Sequence, residues 1–215
     1  MHQRVKSQSG QKGVVLIVAL IVLVGMTLAA VALVRSVDTG NVVAGNIGFK
    51  RGTTQSADAG VEAAVAYLVP LVSGTTLQND IPAFGYYASS QNALDVTGKG
   101  GDAAKTARVD WDDNGCGDYA AASACIAPSD AIIDTQGNSI RYIIHRLCEG
   151  AGASDSATNS CVTYTAPGSV SSKRGELKVG DNKRFGSTPT PYYRITVRSK
   201  GPRNTVSFIE TIVHF

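Results

Sequence analysis

The run Asp110-Trp111-Asp112-Asp113-Asn114-Gly115 sets oxygen-bearing side chains at alternate positions ahead of a glycine. That is the first half of a calcium-binding loop, with Asp118 three residues on. Alternate oxygens before a tight turn can wrap a hard cation, so Asp110, Asp112, Asn114 and Asp118 are the candidate calcium ligands. The twelfth position, where such loops carry a bidentate glutamate, holds Ala121, and Cys116 stands beside the turn. The competing expectation is an acidic Asn-Gly turn stapled by a disulfide. Four cysteines are present: Cys116, Cys125, Cys148 and Cys161. They allow three pairings. Short loops close at the lowest entropic cost, which favours Cys116–Cys125 and Cys148–Cys161, each contributing about 2–4 kcal/mol. A zinc site would recruit His145 with Cys148, but no C-x-x-C pair accompanies them. No serine sits in a G-x-S-x-G elbow and no glycine-rich phosphate loop follows a strand. His2 lies in the first residues, and His145 and His214 lie in apparent strands. The residues converge on no catalytic set, so no enzyme and no cofactor other than calcium is expected.

The elements that would position this chemistry begin with an anchor. From Val14 to Val34 run 21 consecutive residues without a charge. A bilayer core needs roughly 20 apolar residues in a helix, and a soluble helix of that length would show a polar face. Arg4, Lys6 and Lys12 precede the run without an acid, so the first residues are expected in the cytoplasm and the rest outside. Cleavage as a secretory signal, near Ala29, Ala30 and Ala32, is the rival, but its apolar region is usually about 7–15 residues. Setting the three leading bases aside, the remaining chain carries 17 basic and 17 acidic residues. Global charge therefore gives no reason to expect nucleic acid as a partner. All four cysteines fall on the outer side, where oxidation is permitted.

Beyond the run the pattern stays helix-compatible to Leu68, and Pro70 is a stop signal. Gly40, Gly45, Gly48 and Gly52 each cost a helix interior about 1 kcal/mol relative to alanine. Residues 36–52 are therefore either a weak helix or a break. Helical throughout, residues 14–69 would form a rod of about 84 Å. Residues 70–135, 149–161 and 165–190 read as loops with short elements. Ser139 to Leu147 alternates as a strand, with Ile140, Tyr142 and Ile144 on one face. At the end, Tyr193, Ile195 and Val197 alternate with Arg194, Thr196 and Arg198. Gly201-Pro202 marks a turn, and NTVSFIETIV returns as a second strand. Residues 70–215 are enough to fold as one head. Residues 102–155 hold nine acids to four bases, and residues 173–203 hold nine bases (Lys173, Arg174, Lys178, Lys183, Arg184, Arg194, Arg198, Lys200 and Arg203) to two acids. Such patches either steer stacking between copies or face each other within one head.

A short basic leader ending in Gly13, directly before VVLIVALIVLV, resembles a class III prepilin signal. VVAGN (42–46), QSADAGVEAAVAYL (55–68) and the terminal YYRITVRSKGPRNTVSFIETIV are similar to the PilX-type minor pilins of type IV pili. The likeness covers about residues 10–69 and 190–213. It implies cutting between Gly13 and Val14 by a prepilin peptidase, methylation of the new first residue, and retention of the apolar segment as anchor and packing surface. The domains it implies are a leader (1–13), an N-terminal helix (14–69, membrane span 14–34) and a periplasmic head (70–215). The fold it implies is α+β and pilin-like: a long N-terminal transmembrane helix, then a head with a mostly antiparallel sheet. Most pilins carry a glutamate at the fifth mature residue, which is Val18 here. Subunits without it are similar to the tip-type pseudopilins of type II secretion, which implies a priming or tip role. Implied partners are other minor pilins, the major pilin, the inner-membrane assembly platform and a large tip adhesin, with roles in motility and cell adhesion. The implied place is the inner membrane, spanned once, and the extracellular pilus. Alternatives are a type II secretion pseudopilin and a membrane-tethered periplasmic binding module.

Overall fold

The computed structural model describes residues 13–100, 107–118, 124–164 and 189–215. The chain divides into two compact units, Met1–Gly48 and Phe49–Phe215. One helix, α1 (Val14–Leu68), contributes to both.

In the first unit every described residue from Gly13 to Gly48 is exposed, and α1 holds a window of mean hydropathy 3.1 that nothing covers. The segment is long and apolar enough to cross a membrane. It has no amphipathic side, which is what lipid on all sides requires. The glycines between 36 and 52 do not break α1. A helix already nucleated on both flanks needs only propagation through such a stretch, and that is the cheap step.

In the second unit Thr53, Ala57, Gly60, Ala64 and Leu68 recur at spacings of three and four and form the buried stripe of α1. Ten strands follow among the described residues: β1 (Tyr86–Tyr87), β2 (Leu94–Asp95), β3 (Ala107–Val109), β4 (Cys125–Ile126), β5 (Ile132–Ile133), β6 (Ser139–Arg146), β7 (Thr163–Tyr164), β8 (Thr190–Pro191), β9 (Tyr193–Lys200) and β10 (Val206–Val213). The main sheet runs β1-β6-β9-β10, with β5 beside β6. Here β6, β9 and β10 pair antiparallel, as the alternating sequence predicts, but β1 pairs with β6 in parallel. A second sheet, β2-β3-β4, is wholly parallel, and β7 pairs with β8 antiparallel. The expectation of a mostly antiparallel head is corrected: the sheets are mixed. Parallel neighbours need a crossover rather than a tight turn, and residues 96–106 and 110–124 separate β2 from β3 and β3 from β4.

The main sheet is covered on both faces. Ile140, Tyr142, Ile144, Tyr193, Ile195 and Val197 pack with Ala57, Ala64 and Leu68 of α1. Gly60 lets the helix sit close: a Cβ there would lie 2.5 Å from Val197 Cγ1 and 2.7 Å from Ile140 Cγ2. On the other face Tyr87, Val109, Trp111 and Ile143 form a second core with Leu94, Val96, Ile126 and Phe208. Polar ties reinforce the helix side. The Thr53 and Ser207 hydroxyls lie 2.7 Å apart. Ser56 donates to Asp134 Oδ2 (2.6 Å), which also accepts from Asn138 Nδ2 (2.6 Å).

Candidate functional site

The acidic turn is built from both sides of the second core. Trp111 is buried; its indole N–H donates to Val96 O (2.8 Å) and its ring meets Phe208 edge-on at 5.9 Å. This plants the residues that follow on the charged half of the sheet face. Asp112 accepts from Arg198 (2.9 and 3.1 Å) and from Lys200 Nζ (2.9 Å). Asp113 pairs with both guanidinium nitrogens of Arg141. The hydrogen bond from Arg198, outweighing some burial and joined by Lys200, holds the Asp112 carboxyl below the usual range. Arg141 does the same for Asp113.

The other two carboxylates serve the turn itself. Asp110 accepts from the N–H groups of Asn114 (2.8 Å) and Gly115 (2.9 Å), and Asp118 accepts from Asn114 Nδ2 (2.6 Å). Asp113, Gly115 and Cys116 all take positive φ, at 53°, 65° and 58°. Only glycine does so freely, so the neighbouring bonds must hold the other two. The Cys116–Cys125 disulfide ties the turn to β4, with S–S 2.05 Å. Among the described residues no three His, Cys, Asp or Glu side chains gather as a metal cluster. Ala121 lies outside the described residues. The candidate ligands Asp110, Asp112, Asn114 and Asp118 thus sit on one turn, each engaged with protein partners.

The sequence singled out the acids of this turn but not Arg141 as a counter-ion. Arg141 and Arg198 are cross-strand partners on β6 and β9, and both project to the face opposite Ile140 and Val197. Of the basic stretch, Arg198 and Lys200 meet Asp112 within the head, Arg194 donates to Ser90 O (2.5 Å), and Arg203 lies over the Phe49 ring at 4.5 Å. Lys173, Arg174, Lys178, Lys183 and Arg184 lie outside the described residues.

The second disulfide joins Cys148 and Cys161 just past β6. A cleft of about 450 Å³ opens beside it, lined among others by Ser90, Asn92, Leu147, Glu149, Val162 and Arg194. Cys148 therefore offers no thiol to a metal or a nucleophile in this form. His145, three residues before it in β6, is fully buried and stacked on Tyr87 at 5.7 Å, and neither ring nitrogen has a hydrogen-bond partner among the described residues. Burial, aided by the nearby Arg194 charge, depresses its pKa to about 3. His214 follows β10 and stacks on Tyr164 at 4.3 Å. His2 and the rest of the leader lie outside the described residues.

At the other end, Gly13 is exposed, and Val14, which opens α1, and Val18 are 58% and 53% exposed. Gly25, Gly40, Gly45 and Gly48 have nothing within 4 Å of where a Cβ would stand. No family model, curated protein or solved structure matches the chain.

Proposed function

We propose that this chain is a membrane-anchored, pilin-like subunit that acts in type IV pilus assembly, priming the filament or sitting at or near its tip. The observation that carries the reading is α1. One unbroken helix of 55 residues is apolar on all sides at its start and carries a stripe of small buried residues at its end. The first segment suits a bilayer, and the last is fitted to a sheet.

In this reading the head is periplasmic, the anchor waits in the inner membrane, and assembly packs anchors of neighbouring subunits side by side. Gly25, Ala29, Ala30 and Ala32 permit close approach of helices. A prepilin peptidase cuts between Gly13 and Val14. Val18 leaves the anchor without a carboxylate, which removes the cost of an unpaired charge in lipid and one docking contact. The partners are other minor pilins, the major pilin, the assembly platform and a tip adhesin.

The test is the mass of the full chain expressed in cells with and without prepilin peptidase. Residues 1–13 should be lost only with the peptidase, and Gly13→Val should block the loss. Retention of Met1 beside an active peptidase, or a cut near Ala32, overturns the reading.

A further inference from the structure

The free edge of the main sheet has a definite polarity. Leu147 N–H donates to Tyr192 O and Gly201 N–H to Thr205 O, both at 2.8 Å. With the registers of β6, β9 and β10 these two bonds fix the whole ladder. In antiparallel pairs the N–H and C=O of one residue point to the same side, and the side alternates along the strand. Ser207, Ile209, Thr211 and Val213 therefore bond to β9. Val206, Phe208, Glu210 and Ile212 turn their backbone groups outward. Val206 O accepts from Lys50 Nζ (2.5 Å). The outward groups of Phe208, Glu210 and Ile212 face an edge along which no described strand lies.

Exposed edges are normally guarded by charged side chains, proline or a bulge. Val206–Val213 contains no proline, its register with β9 is unbroken, and Glu210 is its only charge. Phe208, Glu210 and Ile212 also share one side-chain face, giving the order apolar, acidic, apolar. Ile212 is 56% exposed. Glu210 is exposed; its carboxylate accepts from the Thr196 hydroxyl at 3.4 Å, and no cation among the described residues pairs with it. A symmetric pairing of two copies centred on this edge would set Glu210 against Glu210, and like charges directly opposite are destabilising.

We propose that the outer edge of β10 receives an extended strand of a partner protein, with lysine or arginine opposite Glu210 and apolar residues opposite Phe208 and Ile212. Backbone hydrogen bonds would supply the attraction, and the alternating side chains the selectivity. The proposal rests on the sheet alone and stands or falls apart from the pilus reading.

The test uses the full chain in detergent and two synthetic peptides at millimolar concentration, Thr-Val-Thr-Lys-Thr-Val-Thr and the same sequence with glutamate for lysine. Hydrogen exchange at the Phe208, Glu210 and Ile212 amides is read for each. The lysine peptide should slow these amides at least tenfold and the glutamate peptide should not; Glu210→Lys should reverse that preference. Ile212→Pro removes an N–H that faces away from β9, so it should abolish the protection at the edge while the amides of Ser207, Ile209 and Thr211, which bond to β9, stay slow. Four results overturn the proposal: no protection by either peptide, equal protection by both, amides already slow in dilute protein alone, or protection that grows with protein concentration without peptide.

Discussion

Gly60 shows how closely a single position can set the geometry of the head. It is the point of α1 where a methyl group has no room, because Val197 and Ile140 converge on it. Gly60→Ala gains helix propensity of about 1 kcal/mol but forces the sheet and helix apart, and overpacking of this kind costs about 1–3 kcal/mol. Melting of the detergent-solubilised chain should therefore drop for Gly60→Ala. Gly52 is the internal control. It lies in the same helix, and its Cβ would meet only Gln136 Oε1 at an ordinary 3.7 Å. Gly52→Ala should raise the midpoint or leave it unchanged. A Gly60→Ala protein as stable as the parent would mean that the close approach of α1 is not a constraint. The sequence drew attention to Gly40, Gly45, Gly48 and Gly52 as possible breaks and left Gly60 unremarked. Helix propensity counts glycines and cannot see which one faces a sheet.

At the scale of elements, β6 and the β5–β6 turn set the acid limit of the head. His145 of β6 is buried and neutral, with a pKa of about 3 against an ordinary 6.5. The unfolded chain therefore binds its proton first, and the head loses stability as pH falls from about 6.5 towards 3. Asp134 acts lower down. Burial raises its pKa, but Ser56, Asn138 and two backbone N–H groups outweigh that and bring it to about 2. Its stabilisation is complete above the ordinary carboxyl value near 3.9 and fades as pH falls through about 2. The melting temperature should be flat between about pH 7 and 9, below the ordinary tyrosine value near 10, and decline in two stages below pH 7. His145→Phe, which keeps a ring against Tyr87, should remove the first stage only; an unchanged profile would show that His145 is not the titrating group. The strands carrying this behaviour were legible to unequal degrees. β6, β9 and β10 are eight residues each, long enough for alternation to name the inward face, and Ile140, Tyr142, Ile144, Tyr193, Ile195 and Val197 face inward as that pattern predicts. β1, β2, β3 and β4 are two or three residues long, so no period could reveal them, and their parallel pairing depends on contacts distant in sequence. The disulfides Cys116–Cys125 and Cys148–Cys161 follow loop length, a local property, and were legible for that reason. The ion pairs that fill the acidic turn were not, because Arg141 and Arg198 reach it only once the second core has brought Trp111 to the sheet.

At the scale of the whole molecule, and on the proposed function, the consequence of Val18 is one of stoichiometry. A subunit that offers the amine of Val14 after cleavage but has no carboxylate four residues on can receive a neighbour's glutamate without returning the contact. On the proposed function such a subunit belongs where a filament has a neighbour on one side only. Quantitative mass spectrometry of purified pili should find a few copies per filament. Val18→Glu should insert normally and change the distribution of the subunit or the number of pili. Abundance equal to that of the major pilin, or a Val18→Glu strain with unchanged pili, would detach Val18 from any positional role.

The hydroxyl contact between Thr53 and Ser207 spans 154 residues, and it also sets a clock. The stripe of α1 is made well before β9 and β10, the strands it packs against. At about 5–20 residues per second, that stripe waits on the order of 8–30 s for the strands that cover it. Ala57, Gly60 and Ala64 expose little apolar area in that interval. The small side chains that let the finished sheet come close thus confine the apolar surface of the waiting stripe to its end, where Leu68 stands beside Val61 and Val65.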